Sequence, residues 1–423
     1  MKSLHLVRFS LFIVLYLSLS PVRANGEEPF RPQIGVFPPV DKAHCFRGEL
    51  TFVDHANRRG SVRVAGSGMF FRNSPHPFAM LPYGITRYHG APADLRDIPL
   101  GTVLHFKGYL PTDPNTSVVP VFPVDNKSKD ANHNRGTGIF PAENHILLAE
   151  DEPSFCLSND LVWELGKLQI QNGKGSLTAK RRPKGKASSK EIKEELMTFD
   201  AGTRIWRGRE LLTVDELIEE GAWPASGEKS LDSQTVLLGI SWKPTPNGIF
   251  TRFHVSDIWL DEQAIQRATR KQTEVHKEFI RTRWMPGWID TVEYGKFGQA
   301  TVTATLFGGM APSLYADFKE GVSARINPVA ETLRHSHGAY GPSHMACRGP
   351  ILSVKKLSGE IPVGSSGIQI RFETDLITEG LRPGRIVRIW PGTWPAVNVP
   401  REEYINDSLE ERFPPPTIFP NYR

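Results

Sequence analysis

Three stretches of the chain alternate apolar and polar residues, turn at a glycine, and alternate again. The first is Leu50–Asp54, a turn through Asn57-Arg58-Arg59-Gly60, and Ser61–Val64. The second is Leu168–Gln171, a turn at Asn172-Gly173, and Ser176–Ala179. The third is Ile289–Val292, a turn over Tyr294–Gly298, and Ala300–Ala304. Alternation with period two around a glycine predicts β-hairpins. Asn-Gly is the strongest short form, because both central residues of a two-residue hairpin turn need positive φ.

A second pattern follows each hairpin: a short mixed or acidic segment, a glycine, then another alternating run. It reads Asp94–Gly101 then Thr102–Phe106, and Thr213–Gly221 with the strand displaced to Thr235–Ile240. It reads Leu314–Gly321 then Val322–Ile326 in the third unit, with a fainter copy at Leu376–Gly384 then Arg385–Trp390. Thr213 with Glu216 forms a capping box, so that piece is expected to make one or two helical turns. A hairpin, a capping turn and closing strands suffice for a small five-stranded OB-like barrel. The recurrence predicts a mainly β chain of three or so small antiparallel OB-like barrel units in tandem. A generic β-sandwich is the alternative. One segment breaks the period. From Asp261 to about Arg283, Ile265, Ala268, Val275, Phe279 and Ile280 fall near one helical stripe, with Asp261 or Ser256 as cap. This is expected to be a long helix bridging the second and third units.

The ends change the picture. Lys2 and Arg8 precede the apolar run Phe9–Leu19, followed by Pro21 and Val22-Arg23-Ala24. That layout predicts a secretory signal peptide over residues 1–24, cleaved near Ala24, with an uncleaved anchor as the alternative. The apolar run is short for a membrane span, which needs about 20 residues. A first domain is expected over 25–150 and a second over 151–260, with a basic insertion at 180–195. The linker helix then takes 261–283, a third β domain 284–396, and a Pro-rich tail 397–423. The chain has 51 Lys and Arg against 46 Asp and Glu, and Lys2, Arg8 and Arg23 lie in the leader, so the mature balance is +2. That is no footprint for a polyanion, and the basic run Lys180–Lys193 lacks aromatic platforms, so a nucleic-acid partner is not expected.

The strings Phe78–Gly84, Tyr88–Thr102, Pro286–Asp290 and Leu376–Trp390 resemble segments of uncharacterised secreted proteins of planctomycete-type bacteria. Gly202–Gly221 similarly resembles small secreted OB-like domains. The resemblance implies a β-repeat architecture and an exported compartment, and carries no known activity.

Candidate chemistry is sparse. His335, His337, His344 and Cys347 lie within a glycine-containing stretch and form a ligand set suited to zinc or copper. A polar loop is the alternative. His76, Tyr88 and His89 read as structural or surface residues. Trp284 and Trp288 flank Pro286-Gly287 and are candidate ligand-stacking residues, alongside Trp206, Trp242, Trp390 and Trp394; the alternative is that they fill cores or interfaces. Cys45 and Cys156 are a candidate disulfide of the first domain, with three buried free thiols as the alternative. No G-x-S-x-G, H-E-x-x-H, P-loop or G-x-G-x-x-G pattern occurs. The sequence thus points to an exported, non-catalytic binding or scaffolding protein of the cell envelope, whose partner is an envelope component or an oligosaccharide. Alternatives are a metal-binding exported protein and a polysaccharide hydrolase with dispersed carboxylates.

Overall fold

The computed structural model describes residues 30–55, 58–64, 75–111, 142–185, 193–231, 234–245, 251–327, 347–375 and 381–395. The predicted leader, the 397–423 tail, and His335, His337 and His344 lie outside the described residues. Among the described residues three closed barrels of five, five and six strands form, as the hairpin pattern predicted.

The first barrel comprises β1 (His44–Asp54), β2 (Arg59–Val64), β3 (His76–Tyr88), β5 (Val103–Tyr109) and β6 (Asn144–Asp151), with the short β4 (Ala91–Ala93) hooked onto β3. Its strands run in the order β1-β2-β3-β6-β5 and close from β5 back to β1. The β3–β6 pair is parallel; the other pairs are antiparallel. Between β4 and β5 sits a 3-10 turn at Leu95–Asp97. Asp94 caps it by accepting from the Arg96 amide, and Asp97 answers by accepting from the Asp94 amide at 2.9 Å.

The second barrel repeats that topology. Helix α1 (Glu152–Ser158) leads into β7 (Leu161–Gln171), β8 (Lys174–Pro183) and β9 (Glu195–Phe199). After β10 (Arg204–Arg207), β11 (Glu210–Leu212), α2 (Val214–Glu219) and β12 (Ser226–Ser230) come β13 (Thr235–Pro244) and β14 (Thr251–Trp259). Closure runs β7-β8-β9-β14-β13, again with one parallel pair, β9–β14. Asn172 and Gly173 both take positive φ, 51° and 69°, at the β7–β8 turn. The Thr213–Glu216 capping box forms in both directions. The expected basic insertion at 180–195 is corrected at both ends: Lys180–Pro183 continues β8, and Glu195 begins β9.

Helix α3 (Glu262–Arg283) starts where predicted, with Asp261 accepting from the Ala264 amide at 2.8 Å. Its buried face is Ala264, Ile265, His276, Ile280 and Arg283; Val275, expected on the stripe, is exposed. It does more than bridge the second and third barrels. Thr269 donates to the His89 carbonyl at 2.6 Å and Gln272 to Asp97 at 3.0 Å, docking the helix on the first barrel as well.

The third barrel comprises β15 (Met285–Tyr294), β16 (Ala300–Phe307), β17 (Ser323–Asn327), β18 (Cys347–Lys356), β19 (Ser365–Thr374) and β20 (Ile386–Pro391), with α4 (Pro312–Tyr315) after β16. It departs from the repeat. Six strands close in the order β15-β16-β19-β18-β17-β20, all antiparallel. Val302, Ala304, Leu306, Ile326, Phe372 and Ile389 are fully buried inside it. Each such large aliphatic or aromatic side chain contributes roughly 1.5–3 kcal/mol by leaving water.

Candidate functional site

The barrels are joined by two different kinds of contact, and the candidate site lies beside the second. Between the first and second barrels an ionic network runs beside the apolar contact of Val103 with the second barrel's core. Glu152, fully buried at the start of α1, accepts from Arg181 Nε at 2.6 Å and Nη2 at 3.0 Å, and from Trp163 Nε1 at 3.1 Å. His105 Nε2 of β5 lies 2.7 Å from its other side. Arg181 also reaches Glu195 at 3.5 Å, and Glu195 takes a two-pronged pair of bonds from Arg47 of β1. The Arg181 and His105 partners hold the Glu152 carboxyl far below its usual range against the opposing effect of burial. Alternating charges therefore run through the seam, each answered by the next.

Between the first and third barrels the contact is aromatic. Tyr83, Trp288, Phe307 and Phe37 pack with ring centroids 4.1–6.4 Å apart. Trp288 is buried there, with its indole N–H donating to Asp290 at 3.1 Å. The expected role of Trp288 as a ligand-stacking residue is therefore corrected: its faces are covered by Phe37, Tyr83 and Phe307.

Adjoining this seam is a cavity of about 60 Å³. The first barrel, α3 and the third barrel each line part of it. Arg58 and Asp94 come from the first, His276 and Arg283 from the helix, and Met310 and Arg388 from the third. Local structure explains how each arrives. Arg58 sits at positive φ in the β1–β2 turn and donates to the carbonyls of Leu81, Pro82 and Gly84, where β3 bends. His276 and Arg283 are two turns apart on the buried face of α3, and Arg283 lies over the Phe279 ring at 4.2 Å. Arg388 alternates outward on β20 between the core residues Val387 and Ile389, and its Nη1 reaches the Trp284 carbonyl at 3.5 Å.

The electrostatics are lopsided. Three guanidiniums line the cavity and Asp94 is the one carboxylate among the described lining residues. Burial, reinforced by Arg58 and Arg283, lowers the Arg388 pKa to about 9. Burial and the neighbouring Arg96 lower that of Arg283 to about 10. Burial, together with Arg58, takes His276 down to about 4, with Asp94 pulling the other way. The imidazole is neutral at pH 7, only 3 % exposed, and its Nδ1 is buried without a hydrogen-bond partner. Leaving a buried polar atom unmatched costs about 1–3 kcal/mol. Guanidinium forks and an imidazole nitrogen are the donor set that oxyanions take. A neutral imidazole presents Nδ1 as donor or acceptor according to its tautomer.

The remaining sequence candidates are placed as follows. Trp284 ends α3, half-buried, with its ring centroid 6.3 Å from that of Trp390. Trp242 and Trp394 are buried, the latter donating to Asp317, and half-buried Trp206 donates to Asp257. Cys45 and Cys156 are free thiols: Cys45 is exposed on β1, while Cys156 is buried in α1 with its sulfur 3.5 Å from Glu152. The bridge proposed between them is not made, because α1 turns Cys156 inward toward the ionic seam. Of the metal candidates, buried Cys347 opens β18 opposite Ile326; the three histidines are outside the described residues. Among the described residues no group of three or more His, Cys, Asp or Glu side chains could hold a metal. The cavity residues were missed because the charged barrel contributors, Arg58, Asp94 and Arg388, are far apart in sequence. Their one local signal is Arg388, a charge in the apolar run Ile386-Val387-Arg388-Ile389-Trp390. Compared with known proteins, the chain matches no family model, no curated protein and no solved structure.

Proposed function

We propose that the protein is an exported, non-catalytic binding protein of the cell envelope that receives a small oxyanion, a carboxylate, sulfate or phosphate group, in the cavity between its first and third barrels. The observation that carries this reading is a cavity lined by the guanidinium residues Arg58, Arg283 and Arg388 together with His276, whose Nδ1 is buried and unmatched. Size supports it. The volume of about 60 Å³ compares with roughly 10–15 Å³ of cavity needed to admit one water and roughly 300–1,000 Å³ for drug-sized ligand pockets. It suits one charged group, free or at the end of a larger molecule. Glycoside hydrolysis needs two carboxylates across the bond; Asp94 alone among the described lining residues supports binding over hydrolysis. The leader read over residues 1–24 supports export.

The test is calorimetric titration of the mature chain with sodium sulfate against sodium chloride at constant ionic strength. One saturable sulfate site is expected, and sulfate at 100 times its Kd should raise unfolding stability by about 2.7 kcal/mol. His276→Gln and Arg388→Met should each weaken binding by roughly tenfold or more. Sulfate heats no different from chloride would reject the reading. N-terminal sequencing of chain recovered outside the cytoplasm should begin near Asn25.

A further inference from the structure

A second feature lies on the outer wall of the third barrel and uses none of the cavity-lining side chains. Strand register places four residues in one row across it. Arg348 on β18 pairs with Arg325 on β17, and Arg325 pairs with Trp390 on β20. Extending the β15–β20 register by one residue brings Trp284 opposite Trp390, and their rings lie 6.3 Å apart with a 34° tilt. The Arg325 guanidinium sits 4.7 Å from the centre of the Trp390 ring. Arg348 is exposed; the other three are half-buried.

Two things about this row are costly to the fold. Like charges directly opposed on neighbouring strands repel; Arg325 has its pKa lowered by burial and by Arg348. No ion pair joins either arginine to a carboxylate among the described residues. Asp375 is next in the row, but it is the Asp375 amide that bonds there, to the Arg348 carbonyl. Trp284 itself is held at φ 64° and ψ 156°, a region that is essentially glycine's alone. A tryptophan kept there presents its ring beside Trp390.

We infer that the row Trp284–Trp390–Arg325–Arg348 is a binding shelf for an acidic saccharide, with pyranose faces stacking on the indoles and a uronate carboxylate meeting the arginine pair. Charge complementarity selects an anion, and the indoles select a ligand with a flat apolar face. Adjacent strands are ~4.8 Å apart, so the row is three strand spacings wide, short for a polymer groove and suited to a few sugar rings. The 34° tilt leaves no parallel slot for a nucleobase, and basic charge in the row stops at two side chains.

Intrinsic tryptophan emission of the full mature chain, titrated with an oligogalacturonate, a neutral cello-oligosaccharide and oligothymidylate, tests this. Saturable change with the uronate and none with the neutral sugar is expected. Arg348→Glu, at an exposed position, should weaken uronate binding by roughly tenfold or more. It should leave sulfate binding in the cavity unchanged, which separates the two sites. Trp284→Gly should also weaken uronate binding while keeping the melting temperature, since glycine takes this backbone conformation without strain. Equal response to the neutral sugar, tighter binding of oligothymidylate, no response to any of them, or an Arg348→Glu chain that binds uronate as before would each overturn the inference.

Discussion

Replacing Glu152 by alanine removes the hub of the seam between the first and second barrels. The carboxylate is fully buried and accepts from Arg181 twice and from Trp163, with His105 at 2.7 Å. Alanine leaves the Arg181 guanidinium, 22 % exposed, facing a void. Breaking a buried pair by deleting one partner costs about 3–5 kcal/mol. With a urea m-value of about 2–3 kcal/mol/M, the unfolding midpoint should fall by roughly 1–2 M. Arg181→Met alone should also destabilise, yet the Glu152→Leu, Arg181→Met pair should recover most of the loss, because two matched apolar groups need no counter-charge. Urea unfolding of Glu152→Leu, Arg181→Met and their double variant, followed by tryptophan emission, measures the coupling. The linkage sign is that of a depressed carboxyl pKa. The unfolded carboxyl titrates near its ordinary 4.5 and the native one far lower, so the contribution is full above pH 4.5 and erodes as pH falls below it. A Glu152→Ala penalty under 1 kcal/mol at pH 7, or additive single variants, would refute the idea that alternating charge holds this seam.

Further expectations concern acid sensitivity, packing and thiols. His276 ionises near pH 6.5 when unfolded and near 4 when folded. Stability should be full above pH 6.5 and fall by about 3 kcal/mol as pH drops to 4; His276→Gln should flatten that part of the profile, and saturating sulfate should shrink the loss by favouring the imidazolium. A Cβ added at Gly349 would meet the Glu373 carbonyl oxygen at 1.6 Å, whereas at Gly202 its nearest neighbour is the Asp200 side chain at 3.1 Å. Gly349→Ala should therefore cost about 3 kcal/mol or more, and Gly202→Ala less than about 1 kcal/mol, by thermal denaturation. Titration of native thiols should give one fast reaction, lost in Cys45→Ser, because burial raises the Cys156 pKa and excludes reagent. A fast reaction that survives Cys45→Ser would count against the burial of Cys156 and Cys347.

The chain's local rules were enough for the pieces. Asn172-Gly173, the Thr213–Glu216 box and the Asp261 cap act within a few residues, and each is formed as the sequence predicts. Alternation at period two likewise marked the hairpins, because each strand buries one face in its own barrel. What the tertiary structure decided was how outward-facing residues are used. Lys180–Pro183 reads as a solvated loop in sequence, yet it is strand because its backbone pairs with Leu161–Glu164 of β7, which sets Arg181 against the buried Glu152. Trp288 reads as a ligand platform, yet it is covered by rings from the other end of the chain. Arg58, His276, Arg283 and Arg388 converge only once three elements dock. The third barrel's six-strand closure, unlike its neighbours' five, depends on which edge strands find each other. Local sequence sets φ, period and caps because those energies are short-ranged. Which charged or aromatic faces meet depends on contacts between residues far apart in the chain, and no local pattern records them.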